Sequence, residues 1–244
     1  MPKPTPEQQL ERRIVSRFQK ALTAYRLIDS GDHVLVGLSG GKDSLCLLEM
    51  LARRMRITHP AFSVTALHVR MENISYQSDT SYLESFAQGL GVPLRIVTTG
   101  FSQVPDTRKP ACFLCSWHRR KVLFNVAQEL GCNKIALGHH MDDILHTALM
   151  NQFFQGHFST MPVRLAMKKM PLTIIRPLCL EAESDIEAFA LQRGYERQQK
   201  LCPFERASQR TTMRQVFNHV EALNPEARYS LWNALEAEGK LMEG

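Results

Sequence analysis

The stretch Leu38-Ser39-Gly40-Gly41-Lys42-Asp43-Ser44-Leu45 directly follows the apolar run His33-Val34-Leu35-Val36-Gly37. A strand feeding a Gly-Gly turn that opens a helix points free backbone N–H groups and the positive end of the helix dipole at one spot, which suits a phosphate. Gly40 and Gly41 let the backbone come close to a ligand, and Lys42 offers a mobile positive charge. Ser39, Asp43 and Ser44 provide a helix cap, a carboxylate for a metal and hydroxyl donors. A Walker loop needs four residues between its glycines and then Gly-Lys-Ser/Thr. Here Gly37 and Gly41 have three residues between them and Asp43 follows the lysine, so the loop is of another kind.

Two further groups of residues carry chemistry. Cys112-Phe113-Leu114-Cys115 precedes Ser116-Trp117-His118-Arg119-Arg120-Lys121. Thiols at this spacing can share one metal ion or one cluster corner, act as a redox pair, or simply begin a helix. Cys46, Cys132 and Cys179 sit in apolar surroundings and read as small buried hydrophobes. Cys202 differs, lying in the polar junction Lys200-Leu201-Cys202-Pro203-Phe204-Glu205-Arg206, where a distant third ligand is expected. The other group is Gly138-His139-His140-Met141-Asp142-Asp143, again between a strand and a helix. Its carboxylates can cap N–H groups, hold Mg²⁺ or act as a base.

These groups need a frame. Residues 7–29 space Leu10, Ile14, Phe18, Leu22, Tyr25 and Ile28 three or four apart, an amphipathic helix ended by Gly31-Asp32. Strands are expected at Phe62–Val69, Pro93–Thr98, Lys134–Leu137 and, as the last, Thr173–Arg176. Helices are expected at Thr80–Leu90, from the loop holding Pro105 and Pro110 through Leu130, at Asp142–Phe154 and at Ser184–Arg193. This alternation predicts an α/β fold, a doubly wound parallel sheet covered on both faces, with ligands at the carboxyl ends of its strands. The Ser39 loop, His68-Val69-Arg70 and Gly138-His139-His140 all fall at such ends. Gly156–Met170 reads as a mobile loop near the site, and residues 201–244 as helical without a strand. The implied division is an N-terminal helix (1–30), an α/β domain with the phosphate loop and Cys112-x-x-Cys115 (31–200) and a helical C-terminal segment carrying Cys202 (201–244).

With 244 residues, 44% of them hydrophobic and 22% charged, the chain is ordinary for a globular protein. No apolar run is long enough to span a bilayer and the N-terminus lacks an apolar signal core, so the expectation is a cytoplasmic protein without a membrane partner. Six cysteines are too sparse for a disulfide scaffold. The net charge of +6 agrees with a polyanionic partner. Arg119, Arg120 and Lys121, Lys168 and Lys169, and Arg206, Arg210 and Arg214 fit an RNA backbone, or a solvated basic face.

The loop at Ser39–Ser44 resembles the pyrophosphate-binding loop of the N-type ATP pyrophosphatases (the PP-loop superfamily), which cleave ATP to AMP and pyrophosphate and activate an oxygen as an adenylate. Taken in order, that loop, Cys112-x-x-Cys115, Gly138-His139-His140-x-Asp142-Asp143 and Arg176-Pro177-Leu178 resemble the tRNA 2-thiocytidine synthetase family from about residue 10 to residue 220. The resemblance implies an adenine nucleotide alpha hydrolase-like fold, a homodimer, and ATP, Mg²⁺ and a 4Fe–4S cluster used to replace an oxygen by sulfur in a tRNA base. It implies nucleotide and Mg²⁺ binding by Leu38, Ser39, Gly40, Gly41, Asp43, Ser44, His68, Gly138 and Asp143. Lys42, Asp142, Cys112 and Cys115 would act in catalysis, and Cys112, Cys115 and Cys202 would hold the cluster. It further implies an exposed base in a single-stranded tRNA loop and a sulfur donor such as a cysteine desulfurase. The family typically shows a second Cys-x-x-Cys at the later site, where this chain has Cys202-Pro203-Phe204-Glu205. Two other readings stay open on the residues alone: a different adenylating enzyme, such as an amidating or lysidine-type ligase with structural zinc, and a non-catalytic ATP-binding iron–sulfur sensor.

Overall fold

A computed structural model describes residues 4–72, 74–76, 78–100, 111–201 and 209–243, with the side chains of 111, 200, 201, 209 and 210 left aside. Cys202 and the loop of Pro105 and Pro110 lie outside the described residues. The elements run α1 (Pro6–Ala24), β1 (His33–Gly37), α2 (Lys42–Met55), β2 (Ser63–Met71), β3 (Ser75–Tyr76), α3 (Ser81–Leu90), β4 (Leu94–Thr99), α4 (Ala111–Glu129), β5 (Lys134–Ala136) and α5 (Met141–Gln155). They continue with β6 (Arg164–Ala166), β7 (Thr173–Ile175), α6 (Glu183–Arg193), β8 (Lys200–Leu201), α7 (Gln209–Leu223), α8 (Ala227–Ala237) and β9 (Met242–Glu243).

Seven strands form one sheet in the order β4-β2-β1-β5-β7-β6-β9, with β6 antiparallel to β7 and the other pairs parallel. The chain winds outward from β1 through β2 to β4, then crosses over and returns as β5 beside β1. The carboxyl ends of β1 and β5 therefore flank the topological switch point, where such sheets open a crevice. Alternate residues of β1 feed different layers. Val34 and Val36 pack with α1, α2, α5, α6 and α8, while Leu35 joins Leu67, Ile135 and the α4 residues Leu123 and Val126. One face thus carries most of the helices, and the other carries chiefly α4.

Two expectations fail here. Gly156–Met170 is not a loop throughout, because it contains β6, and the Val163 N–H donates to the Leu241 carbonyl at 2.7 Å. The C-terminal segment is not purely helical, because β9 extends the sheet beside β6 and β8 pairs with β3. Thr173–Ile175 is accordingly followed by further strands. All of these are strands of two or three residues, too short for a period-two pattern, and their partners lie far away in sequence. The terminal segments share the main core: Ile14 and Phe18 of α1, Phe217 of α7 and Trp232 of α8 are all buried in it.

Glu181 lies in this core at 0% exposure, with Arg17 Nη1 3.6 Å from its carboxylate. Burial pushes its carboxyl up to about 8 against the opposing pull of Arg17. Its folded value exceeds the unfolded one, so the unfolded state ionises first and stability falls as pH rises from about 4.5 through 8. Glu181→Gln should flatten that slope in thermal melts and raise stability at pH 8 by about 2 kcal/mol, on the order of 4–8 °C. Parallel pH profiles of the two proteins would contradict this assignment.

Candidate active site

The switch point opens into a cavity of about 880 Å³ between the β1, β2 and β5 ends, α4 and the β6–β7 strands. Its polar wall holds Ser39 and Gly41 from the loop after β1, His68 from β2, Arg119 and Arg120 from α4, and His139 and Arg176. Leu123, Phe124, Leu137, Leu165, Met167 and Ile174 make the apolar remainder. Among the described residues, three arginines and no carboxylate line it, a charge pattern that favours an anion.

The loop is built by close backbone contacts. Gly40 has φ +81°, and its carbonyl accepts the Gln198 N–H at 2.8 Å. A Cβ on Gly40 would lie 2.4 Å from the Gln198 Cβ, and one on Gly138 would lie 3.0 Å from the Asp43 backbone. Glycine is therefore a steric requirement at position 40, while a Cβ at position 138 would force the Asp43 backbone to give by a few tenths of an ångström. Ser44 Oγ donates to the Gly41 carbonyl at 2.9 Å, and the Gly41 N–H donates to Ser39 Oγ at 3.3 Å. Gly41 caps α2 without a side-chain hydrogen bond, which leaves the first-turn N–H groups of that helix for a ligand.

His68 is almost wholly buried, and burial lowers its pKa. Its Nδ1 lies 2.7 Å from the Leu38 carbonyl, which can only accept, so Nδ1 carries the proton. Nε2 is then an acceptor, and it is buried at the cavity wall without a hydrogen-bond partner among the described residues. Arg119 Nε is likewise buried there and has no partner among the described residues. A nucleoside amine or hydroxyl would satisfy the first and an anion the second. Arg176 donates through Nε to His139 Nδ1 at 3.3 Å and through Nη1 to the Pro162 carbonyl. Burial lowers the Arg176 pKa to about 10, which leaves it a cation at neutral pH.

Beside the loop lies a second, acidic cluster. The Lys42 ammonium sits 3.1 Å from Asp43, 3.2 Å from Glu183 and 3.7 Å from Glu187, outside the cavity lining. Burial pulls its pKa down, but Asp43 and Glu183 outweigh burial and hold it above the ordinary lysine value. His140 Nε2 is 3.5 Å from Asp143 and 3.9 Å from Asp43, so these two carboxylates flank one ring. Burial works against the charged imidazole, yet Asp142, Asp143 and Asp43 together raise its pKa. Asp142 accepts the Glu183 N–H at 2.8 Å and Arg228 Nη2 at 2.9 Å. Burial opposes its charge, but His140 and Arg228 hold its carboxyl far below the usual range. An ionised, doubly held carboxylate is equipped to lock α5, α6 and α8 together around the site.

The structure thus brings Leu38, Ser39, Gly41 and His68 to one cavity and sets Lys42, Asp43, His140, Asp142 and Asp143 in an adjoining cluster. Cys112 and Cys115 occupy the first turn of α4, one exposed and one half-buried, on the helix that gives the cavity Ser116, Arg119 and Arg120. Cys46, Cys132 and Cys179 are buried, and burial raises all three thiol pKa values. They match the expectation of small core residues. Among the described residues, no three or more His, Cys, Asp or Glu side chains form a metal-holding group. No described helix is long and apolar enough to cross a membrane.

Sequence reasoning missed Glu183, Glu187, Gln198 and Arg228. Their partners in the loop and the acidic cluster lie 41 to 158 positions away (142 to 183 and 40 to 198), and no local motif marks them. Arg119 and Arg120 carried a signal, read as fitting an RNA backbone or a solvated basic face, and both line the cavity.

A strand–turn–helix phosphate loop at the switch point of a mostly parallel sheet defines a PP-loop nucleotide-binding protein. A family model described as "PP-loop domain" matches residues 6–221. The tRNA-cytidine(32) 2-sulfurtransferase of Verminephrobacter eiseniae is 35% identical over 232 residues, covering 93% of this chain and 73% of that protein. The protein of the same name from Pelobacter propionicus is 33% identical, over 93% of this chain and 86% of its own length. The chain belongs to this sulfurtransferase family of PP-loop proteins. In fold it matches the U34-tRNA thiolase NcsA from Methanococcus maripaludis, solved with its [4Fe-4S] cluster, at TM-score 0.78 and 24% identity over 95% of this chain and 79% of that one.

Proposed function

We propose that the protein is an ATP-dependent tRNA sulfurtransferase that adenylates the 2-oxygen of a cytidine in a single-stranded tRNA loop and replaces it by sulfur. The observation that carries this reading is the shared helix α4: its first turn holds Cys112 and Cys115, and its next two turns hold the cationic cavity wall. The nucleotide site and the sulfur site are thereby built on one rigid element.

In this reading the polyphosphate of ATP lies on the Ser39–Ser44 loop and the α2 N-terminus, with His68 Nε2 and Gly138 beside the nucleoside. Asp43 and Asp143 hold Mg²⁺ together with the phosphates, since Mg²⁺ commonly takes only one or two carboxylates plus substrate oxygens. The base oxygen attacks the α-phosphorus and pyrophosphate leaves. Arg119 faces the negative charge that builds up there. Sulfur from a donor such as a cysteine desulfurase, brought to the sulfide level by a two-electron reductant such as a thiol pair, then attacks C2, and AMP departs with the oxygen. Cys112 and Cys115 fit an iron–sulfur cluster as an accessible i, i+3 thiol pair beside the cavity, and Cys202 is proposed as the third ligand. When bound, a cluster with three protein ligands supplies an iron at which sulfur can be held. Asp142 acts by fixing the α5 N-terminus. A cytoplasmic homodimer completes the reading.

The deciding experiment is a mass-spectrometric nucleoside profile of tRNA from a deletion strain and its complemented partner. Loss and recovery of 2-thiocytidine is the expected result, and an unchanged profile would reject the reading. Gly40→Ala tests the loop independently. The forced left-handed backbone and the clash with Gln198 should cost about 1–2 kcal/mol of stability, and calorimetric titration should show ATP affinity reduced by about tenfold. Unaltered ATP affinity would remove Gly40 from the nucleotide site.

A further inference from the structure

Helix α4 is polarised in a way that the nucleotide and cluster sites do not explain. At 100° per residue, Ser116, Arg119, Arg120 and Leu123 share one face, and all four line the cavity. Cys112 lies on the N-terminal extension of that face and Cys115 borders it on one side, while Phe113, Trp117 and Lys121, spaced four apart, border it on the other. Phe113 is 43% exposed and Trp117 46% exposed, a large aromatic surface to leave against water on a short stretch of helix. The Lys121 ammonium lies 5.5 Å from the Trp117 ring centre, and the His118 ring meets it edge-on at 4.9 Å. From Ala111 to Gln128 the helix has three cationic side chains and no carboxylate.

We propose that Trp117 is a stacking platform for the nucleotide adjoining the target base, with Lys121 on the neighbouring phosphate. This rests on the tRNA reading above and adds to it the residue that would read the flanking base. An indole stacks on a nucleobase face, and a cation beside it neutralises the connecting phosphate, the combination by which single-stranded nucleic acid is commonly held. The helical geometry supplies the register. One base enters the cavity between the thiols and the loop, and its neighbour remains outside against the opposite border of the same helix. A stretch of helix with three cations and no carboxylate favours this polyanion over an apolar peptide partner.

The test titrates a short single-stranded cytidine-containing RNA oligonucleotide into the full chain and into Trp117→Phe and Trp117→Ala. The protein has two tryptophans, and Trp232 is 5% exposed, so emission that responds to bound RNA should belong to Trp117. RNA is expected to quench the unsubstituted protein and not Trp117→Phe. Fluorescence anisotropy of labelled RNA should show Trp117→Phe binding within about threefold of the parent and Trp117→Ala about tenfold or more weaker. The salt slope should stay unchanged, because no charge is lost. Equal affinity of Trp117→Ala and the parent, or quenching that persists in Trp117→Phe, would overturn the proposal. If the parent protein thiolates tRNA while Trp117→Ala binds RNA equally well, only the platform falls. Binding that depends on Trp117 without any thiolation would sink the sulfurtransferase reading and leave the platform standing.

Discussion

Cys112→Ser and Cys115→Ser should each abolish thiolation, lowering product per enzyme by at least about 100-fold, while ATP affinity stays within about twofold. A serine hydroxyl keeps the volume but cannot supply a thiolate at neutral pH. Both positions lie in the first turn of α4 and outside the cavity lining, so nucleotide contacts should survive. No other described thiol can substitute. Cys46 and Cys179 are fully buried, and burial drives their thiol pKa values well up; Cys132 is pushed up to about 11. Cys132→Ser therefore serves as the control, with an expected loss of stability and retained thiolation. Quantitative thionucleoside analysis alongside calorimetric ATP titration separates the two functions. Thiolation persisting in Cys112→Ser would remove that thiol from the reaction.

How much of this site could be read from the chain depends on the range of the interactions involved. The phosphate loop was legible because its strand, turn and helix are contiguous, and Gly40 marks a backbone conformation that a side chain obstructs. The order βαβα was legible because β1 carries an unbroken apolar run, β2 sets Val64, Ala66, Leu67 and Val69 among polar residues, and α1 repeats its apolar residues at helical spacing. Short strands left no such trace. Arg164–Ala166 is a strand only because Thr173–Ile175 and Met242–Glu243 lie on either side of it. Asp142 illustrates the same limit in the site itself. Its position at a helix start was clear, yet its hold on Arg228 and the Glu183 N–H depends on packing between α5, α6 and α8. Likewise Lys42 reads as a phosphate ligand, while the structure rests it among carboxylates contributed partly by α6.

That resting position makes Lys42→Ala the most informative test of the adenylation step. The ammonium sits against Asp43, Glu183 and Glu187, and these partners hold it protonated across the neutral range. Delivering this charge to the departing pyrophosphate requires only that the side chain swing away from α6, with no change in protonation. The carboxylates it leaves keep other cations: Glu183 pairs with Arg214, and Glu187 with Arg197. The substitution should therefore preserve the fold, with a melting temperature within a few degrees of the parent, because both α6 carboxylates stay paired. Pyrophosphate release in the presence of tRNA should fall by about 10²-fold or more, the usual cost of removing one preorganised charge from a transition state. Lys42→Arg should recover part of the rate but not all of it, since a planar guanidinium cannot match the compact ammonium in so confined a cluster. If Lys42→Ala instead releases pyrophosphate within about threefold of the parent, Lys42 is a structural counterion of Glu183 and Glu187. The transition-state charge would then rest on Arg119 and the α2 N-terminus.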